Sequence, residues 1–171
     1  NRLIGEFADL SAPGIVGAYK PAAVADEPSR NYIYPCNDDR FEEVTAYYHL
    51  DTIQRKIQSL GFSGASGILD RPISVHAHFM STCNAFFDPV NLGVHFGDGD
   101  GGLCGTTADS AEDADVIAHE YGHAIQHDQV PGWGFGLLVD VQEALAMGEG
   151  FGDFLTAAIF GDPCLGEWFN I

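Results

Sequence analysis

The chemistry in this chain is concentrated in His119-Glu120-Tyr121-Gly122-His123. On a helix, imidazoles at i and i+4 stand one above the other and can grip a single zinc ion, while Glu120 sits beside them within reach of a metal-activated water. A catalytic zinc needs three protein ligands and an open position. A third is offered by Gly148-Glu149-Gly150-Phe151-Gly152-Asp153, where Glu149 lies 26 residues beyond His123. Glu149 and Asp153 share a helix face, so one can ligate while the other accepts the outer N–H of a liganding histidine. The glycines around Glu149 each cost a helix about 1 kcal/mol, which implies that another helix approaches closely there.

These residues need elements to hold them. The Pro- and Gly-rich stretch 1–37 predicts short strands and loops. Asp39 and Glu42 have capping-box spacing, and Phe41, Val44, Tyr48, Ile53, Ile57 and Leu60 recur at helical intervals, predicting about five turns of helix stopped by Gly61. Ile73–Phe79, Cys83–Phe87 and Leu92–Phe96 read as strands, with His76 and His78 on one polar face and a turn at Asp88-Pro89. A second helix is expected from a Ser110 cap with Asp113 to about Asp128, and a third from about Gln142 to Phe160. His127 is expected to be solvated and Tyr121 to serve packing. The fold class is α+β: a small, mostly antiparallel sheet with long helices, one of which carries the HExxH pattern.

Composition excludes other classes. The 171 residues carry 25 acids against 7 bases, a net charge of −18, which disfavours nucleic acid and anionic membranes. Residues 86–171 hold fifteen acids and no Lys or Arg, fitting a solvated acidic surface with a few carboxylates neutralised by metal ions. Asp98 and Asp100 in the glycine-rich 97–102 segment either form a turn or hold a cation. No run is long enough to span a bilayer. The four cysteines form no CxxC pair, and two disulfides in an exported protein are expected, with Cys83–Cys104 and Cys36–Cys164 the preferred pairing.

Taken in order, Cys83-Asn-Ala-Phe-Phe-Asp, Phe96-Gly-Asp-Gly-Asp-Gly, Asp115-Val-Ile-Ala-His-Glu-Tyr-Gly-His and Glu143-Ala-Leu-Ala-Met-Gly-Glu-Gly-Phe-Gly-Asp153 resemble the gluzincin metalloendopeptidases of the thermolysin and fungalysin families. The resemblance covers about residues 41–160 and implies a zincin-like fold, with His119, His123 and Glu149 as zinc ligands and Glu120 as general base. It further implies Asp153 as the partner of His119, Asn84 and Ala85 as binders of the substrate backbone, and Asp115, with Asp98 and Asp100, as candidate calcium ligands. The family's downstream helical half, with its oxyanion-binding histidine, has no counterpart in the 171 residues. The chain is therefore expected to be one catalytic subdomain over 1–171, with 1–40 as a lead-in, belonging to a longer or processed parent.

The resulting expectation is a secreted zinc endopeptidase that hydrolyses peptide bonds with a zinc-activated water and Glu120 as base. Two alternatives stay open: a non-catalytic, metal-stabilised module of a cell-surface or filament assembly, and another zinc hydrolase on the same helix pair.

Overall fold

A computed structural model describes residues 2–11, 24–99, 108–133 and 141–166. Among them, four strands form one sheet: β1 (Ala8–Asp9), β2 (Ile73–Met80), β3 (Ala85–Asp88) and β4 (Gly93–Gly97), in the order β1-β2-β4-β3. The three helices are α1 (Arg40–Ser59), α2 (Ala114–Gln129) and α3 (Val141–Phe160).

The α+β class holds, but the sheet is mixed where a mostly antiparallel one was expected. β1 with β2 and β2 with β4 run parallel, and only the hairpin β3–β4 is antiparallel. The reason is connectivity. β2 leaves the sheet through the 81–84 turn and its successor β3 pairs outside β4, so β4 inserts between them in the direction of β2. This leaves β3 as an edge strand.

The core forms where α1 and α2 cover one sheet face. Ala46, Leu50 and Ile53 of α1 meet Val75 and Ala77 of β2, Val94 and Phe96 of β4, and Ile117 and Tyr121 of α2, all nearly or wholly without solvent contact. The buried stripe of α1 is rotated from the expected one, since Tyr48 and Leu60 are exposed while Glu42, Glu43 and Gln54 are buried. Each of these polar groups has a task. Gln54 accepts from the Tyr121 hydroxyl and donates to the Ile68 carbonyl, and Glu43 pairs with Arg2 at 2.9 Å. Tyr121 is thus a packing residue, as its type and spacing suggested.

The expected caps are displaced by one position or more. Asp39 makes no side-chain cap bond; the neighbouring Asp38 carboxylate accepts the Arg40 N–H instead. Likewise Ser110 does not cap α2. It opens a short 3-10 turn, Ser110–Glu112, whose own capping box is Asp109 with Glu112, and Asp113 then caps α2 by accepting from the Asp115 N–H. Ser110 is buried because its hydroxyl accepts from the Gly97 N–H at 2.8 Å, fastening the approach to α2 against β4.

His76 and His78 do not share a face. The β2–β4 register shifts between His76 and Met80, and such an irregularity reverses the alternation of side chains. His78 turns towards α1, 2.8 Å from Glu42 and 2.7 Å from Asp98, whereas His76 stays on the opposite face. Neither Cys36 nor Cys164 is in a disulfide; both are surface thiols, so the expected Cys36–Cys164 bridge is not formed. The other expected bridge reaches Cys104, which lies outside the described residues, as does Asp100.

Candidate active site

α2 and α3 cross in close contact, and glycines permit it. A Cβ on Gly122 would sit 3.0 Å from the Gly152 Cα, and one on Gly152 would sit 2.8 Å from the His119 ring. Gly150 faces open space, so of the α3 glycines it is Gly148 and Gly152 that serve the crossing. The crossing brings the two charged motifs together. His119 Nε2 lies 3.0 Å and His123 Nε2 3.7 Å from the two carboxylate oxygens of Glu149. The Asp153 carboxylate meets the other nitrogen of His119, Nδ1, at 2.9 Å. Glu149 thus faces the inner nitrogens and Asp153 holds the outer one, the division of roles that the motif left open.

Glu120 lies on the same helix but turns towards β3. It is 7% exposed, one of its oxygens has no hydrogen-bond partner, and the Phe87 N–H lies near enough to favour its charged form. Burial pushes its carboxyl up to about 7, against the opposing influence of the His119 ring and the Phe87 N–H. Burial, with the like charge of His119, also lowers His123 from its ordinary value, favouring the neutral ring that a metal requires. The ligand atoms of His119, Glu120 and His123 lie within 4.8 Å of one another, the one such group of three or more donors among the described residues.

These residues line a cleft of about 640 Å³ walled by β3 on one side and by α2 and α3 on the others. Asn84 and Ala85, expected to bind substrate, are on its rim. The Asn84 carbonyl is used by the Gly97 N–H at 2.9 Å and is close to the Ser110 hydroxyl. Of the expected calcium ligands, Asp100 lies outside the described residues, and the other two are engaged elsewhere. Asp98 is spent on His78, and Asp115 accepts the Gly166 N–H at 3.0 Å and forms part of the cleft wall.

Two contributors escaped the sequence reading. The Phe87 N–H is a backbone group, invisible in residue type, and Thr156 donates to the Gly152 carbonyl at 3.0 Å where α3 crosses α2. His127 is half-buried at the cleft beside Phe87 with its Nδ1 buried, not solvated as expected.

The signature of the fungalysin metallopeptidase family (M36) matches residues 31–163. Among solved structures, the precursor of protealysin, a metalloproteinase from Serratia proteamaculans, is similar with a TM-score of 0.52 and 19% identity over 85% of this chain. At that identity the likeness establishes the zincin-like fold alone. The chain spans 46% of the length of that relative. No curated protein sequence matches it.

Proposed function

The chain belongs to the fungalysin metallopeptidase family, and from that premise we propose that it is the zinc-binding half of a secreted metalloendopeptidase, with Glu120 as general base. The observation that carries this reading is the convergence of His119 Nε2, His123 Nε2 and the Glu149 carboxylate at the cleft, with Asp153 behind His119. Two imidazoles and one carboxylate are a donor set suited to catalytic zinc, and the side of the set facing the cleft leaves room for a fourth ligand. The orphaned Glu120 oxygen, buried at the same place, is a further sign that a polar group belongs there. Zinc in this position would supply Lewis acidity, lowering the pKa of water and polarising a carbonyl.

The remaining work falls to the chain's own groups. His119, His123 and Glu149 would hold the metal, and Asp153 fixes the His119 tautomer by accepting from Nδ1–H, which leaves the Nε2 lone pair free for it. Glu120, with a carboxyl near neutrality, takes a proton from water and returns it to the leaving amine. Its burial keeps competing solvent away from that exchange. β3 is an open edge, so an extended peptide can pair with the backbone at Ala85, with the Asn84 side chain beside it. Selection then depends on extended conformation more than on side chain.

The substrate class is peptide or unfolded protein, and a downstream helical half completes the cleft in the parent chain. Leu145, Met147 and Phe154 of α3 are exposed, giving that half an apolar surface to cover. Residues 1–40 act as a lead-in, and a Cys83–Cys104 bridge would brace the turn before β3. Secretion rests on the family. No helix among the described residues is long and apolar enough to cross a membrane. Calcium has no part in this reading, because Asp98 and Asp115 already serve His78 and Gly166.

The test is digestion of an unfolded protein by the parent chain. Activity should be abolished by a chelator and restored by zinc, and Glu120→Gln should lower kcat/KM by roughly 100-fold to 10,000-fold while keeping the metal. Undiminished activity in that variant would remove Glu120 as the base.

A further inference from the structure

Behind the edge strand, on the sheet face away from α1 and α2, three rings stand side by side at one register of three neighbouring strands. His76 of β2 pairs with His95 of β4, and His95 pairs with Phe86 of β3. The His95 ring lies between the other two, 4.8 Å and 4° from His76 and 4.8 Å and 20° from Phe86, with Phe79 tilted against it at 4.3 Å. His95 is 1% exposed, and neither ring nitrogen has a hydrogen-bond partner. An imidazole held in this way gains packing area and stacking as a neutral aromatic ring, and has nothing to solvate a charge.

We propose that His95 is a positioning residue for the cleft: its neutral ring holds β3 in place from behind, and its protonation in acid releases that strand. This rests on the functional reading of β3, because the strand so held carries Ala85 at the cleft and the Phe87 N–H beside Glu120. The mechanical link is short. Phe86 stacks on His95 from one side of the strand, while Phe87 packs into the core on the other. A charged His95 must leave the stack to find water, and Phe86 loses its support when it does.

Among the groups facing His95, only Asp88 offsets a charge on it, and that weakly. His76, from β2, is a second base kept below its ordinary pKa by burial, and its protonation would oppose that of His95. Asp88, at the end of β3, is 4.0 Å from His95 Nε2, and its carboxylate is already engaged by the Val90 N–H and the Asn91 side chain. Asp9 of β1 acts on His76 and not on His95. Phe79 and Phe86 bring no charge. Burial and the neighbouring His76 together push His95 down to about 4, with Asp88 pulling weakly the other way.

The sign follows from linkage. The unfolded histidine titrates near 6.5 and the folded one near 4, so the unfolded state binds more protons between those values. The stability of the stack is complete above about pH 6.5 and is lost as pH falls towards about 4.

The experiment measures amide hydrogen exchange at Phe86 and Phe87 against pH, with Leu50 and Ile53 of α1 as references, and follows the His95 ring by NMR in the same samples. In the native protein, the β3 amides should lose at least 10-fold in protection between pH 6.5 and 4 while those of α1 hold. His95→Phe, which fills the stack but cannot take a proton, should move that loss down by a pH unit or more. An unshifted profile in a folded His95→Phe would overturn the proposal. Should that variant fail to fold, the native protein still decides. A His95 ring titrating near 6.5 with the β3 amides protected throughout would equally overturn it. Neither readout involves zinc or turnover, so failure here is distinct from failure of the peptidase reading.

Discussion

At the level of single residues, the site is a division of labour around one imidazole. Glu149 approaches His119 Nε2 while Asp153 holds Nδ1, so the two carboxylates, one helical turn apart, occupy opposite sides of the same ring. Asp153→Asn keeps an acceptor but removes its charge. Zinc affinity measured against a competing chelator should fall about 10-fold to 100-fold, and unchanged affinity would contradict the assignment. The glycines offer a paired prediction. Gly152→Ala forces a methyl into the His119 ring and should destabilise the protein by about 1–3 kcal/mol. Gly150→Ala meets open space on the same helix and should stabilise it by about 1 kcal/mol. Thermal melts of both variants check this, and equal shifts would mean that the crossing is not tight. These roles were legible because HExxH and Glu149-x-x-x-Asp153 encode a helix face directly. The Phe87 N–H was not legible, since nothing in residue type records which backbone groups an edge strand leaves for its neighbours.

Among the elements, α3 formed over nearly the expected residues and α2 began four residues later than its expected cap, whereas α1 and β2 departed from expectation for one shared reason. Glu42 and His78 were taken as surface or capping groups, yet they form a buried link between α1 and β2, joined by Asp98. A charged residue buried with a partner breaks any reading that sorts positions by hydrophobicity, and the register shift in β2 that aims His78 at α1 leaves no mark in the sequence. The link has a pH signature. Burial pushes Glu42 up to about 7; burial alone would depress His78, but its hydrogen bond to Asp98 and the neighbouring Glu42 carboxylate prevail and raise it to about 11. Both groups therefore hold protons in the folded state that the unfolded state has lost. Their contribution is complete below about pH 4.5 for Glu42 and 6.5 for His78, and fades as pH rises through about 7 and about 11. Thermal stability should decline on the alkaline side, and His78→Ala should flatten that decline while costing about 3–5 kcal/mol near neutrality, the usual result of stranding one partner of a buried pair. A variant with the native alkaline profile would show that the decline originates elsewhere.

For the whole molecule, the acidity that excluded nucleic acid is only partly accounted for by chemistry. Glu120, Glu149 and Asp153 belong to the candidate site, and Asp98 and Asp115 serve internal contacts. Of the other described acids in residues 86–171, Glu143 and Asp162 are exposed, whereas Asp113 is buried and Asp88, Asp109, Glu112 and Asp128 are half-buried and hydrogen-bonded, so a solvated surface accounts for fewer of them than composition suggested. The fold class was predictable from element types, but the parallel pairing of β2 with β4 was not, because consecutive strands pair most often and here β3 steps outside β4. The metal would clamp α2 to α3, two helices contributed by separate motifs, so its binding should stabilise the entire chain. At zinc 100-fold above Kd the gain is about 2.7 kcal/mol, and a melt insensitive to added zinc would count against such a clamp. The most direct test of the metal centre is zinc content by elemental analysis of the purified chain. About one zinc per chain is expected, lost in His119→Ala and in Glu149→Ala with the helical circular dichroism retained. A folded native protein without zinc, or one zinc kept by both variants, would contradict the site.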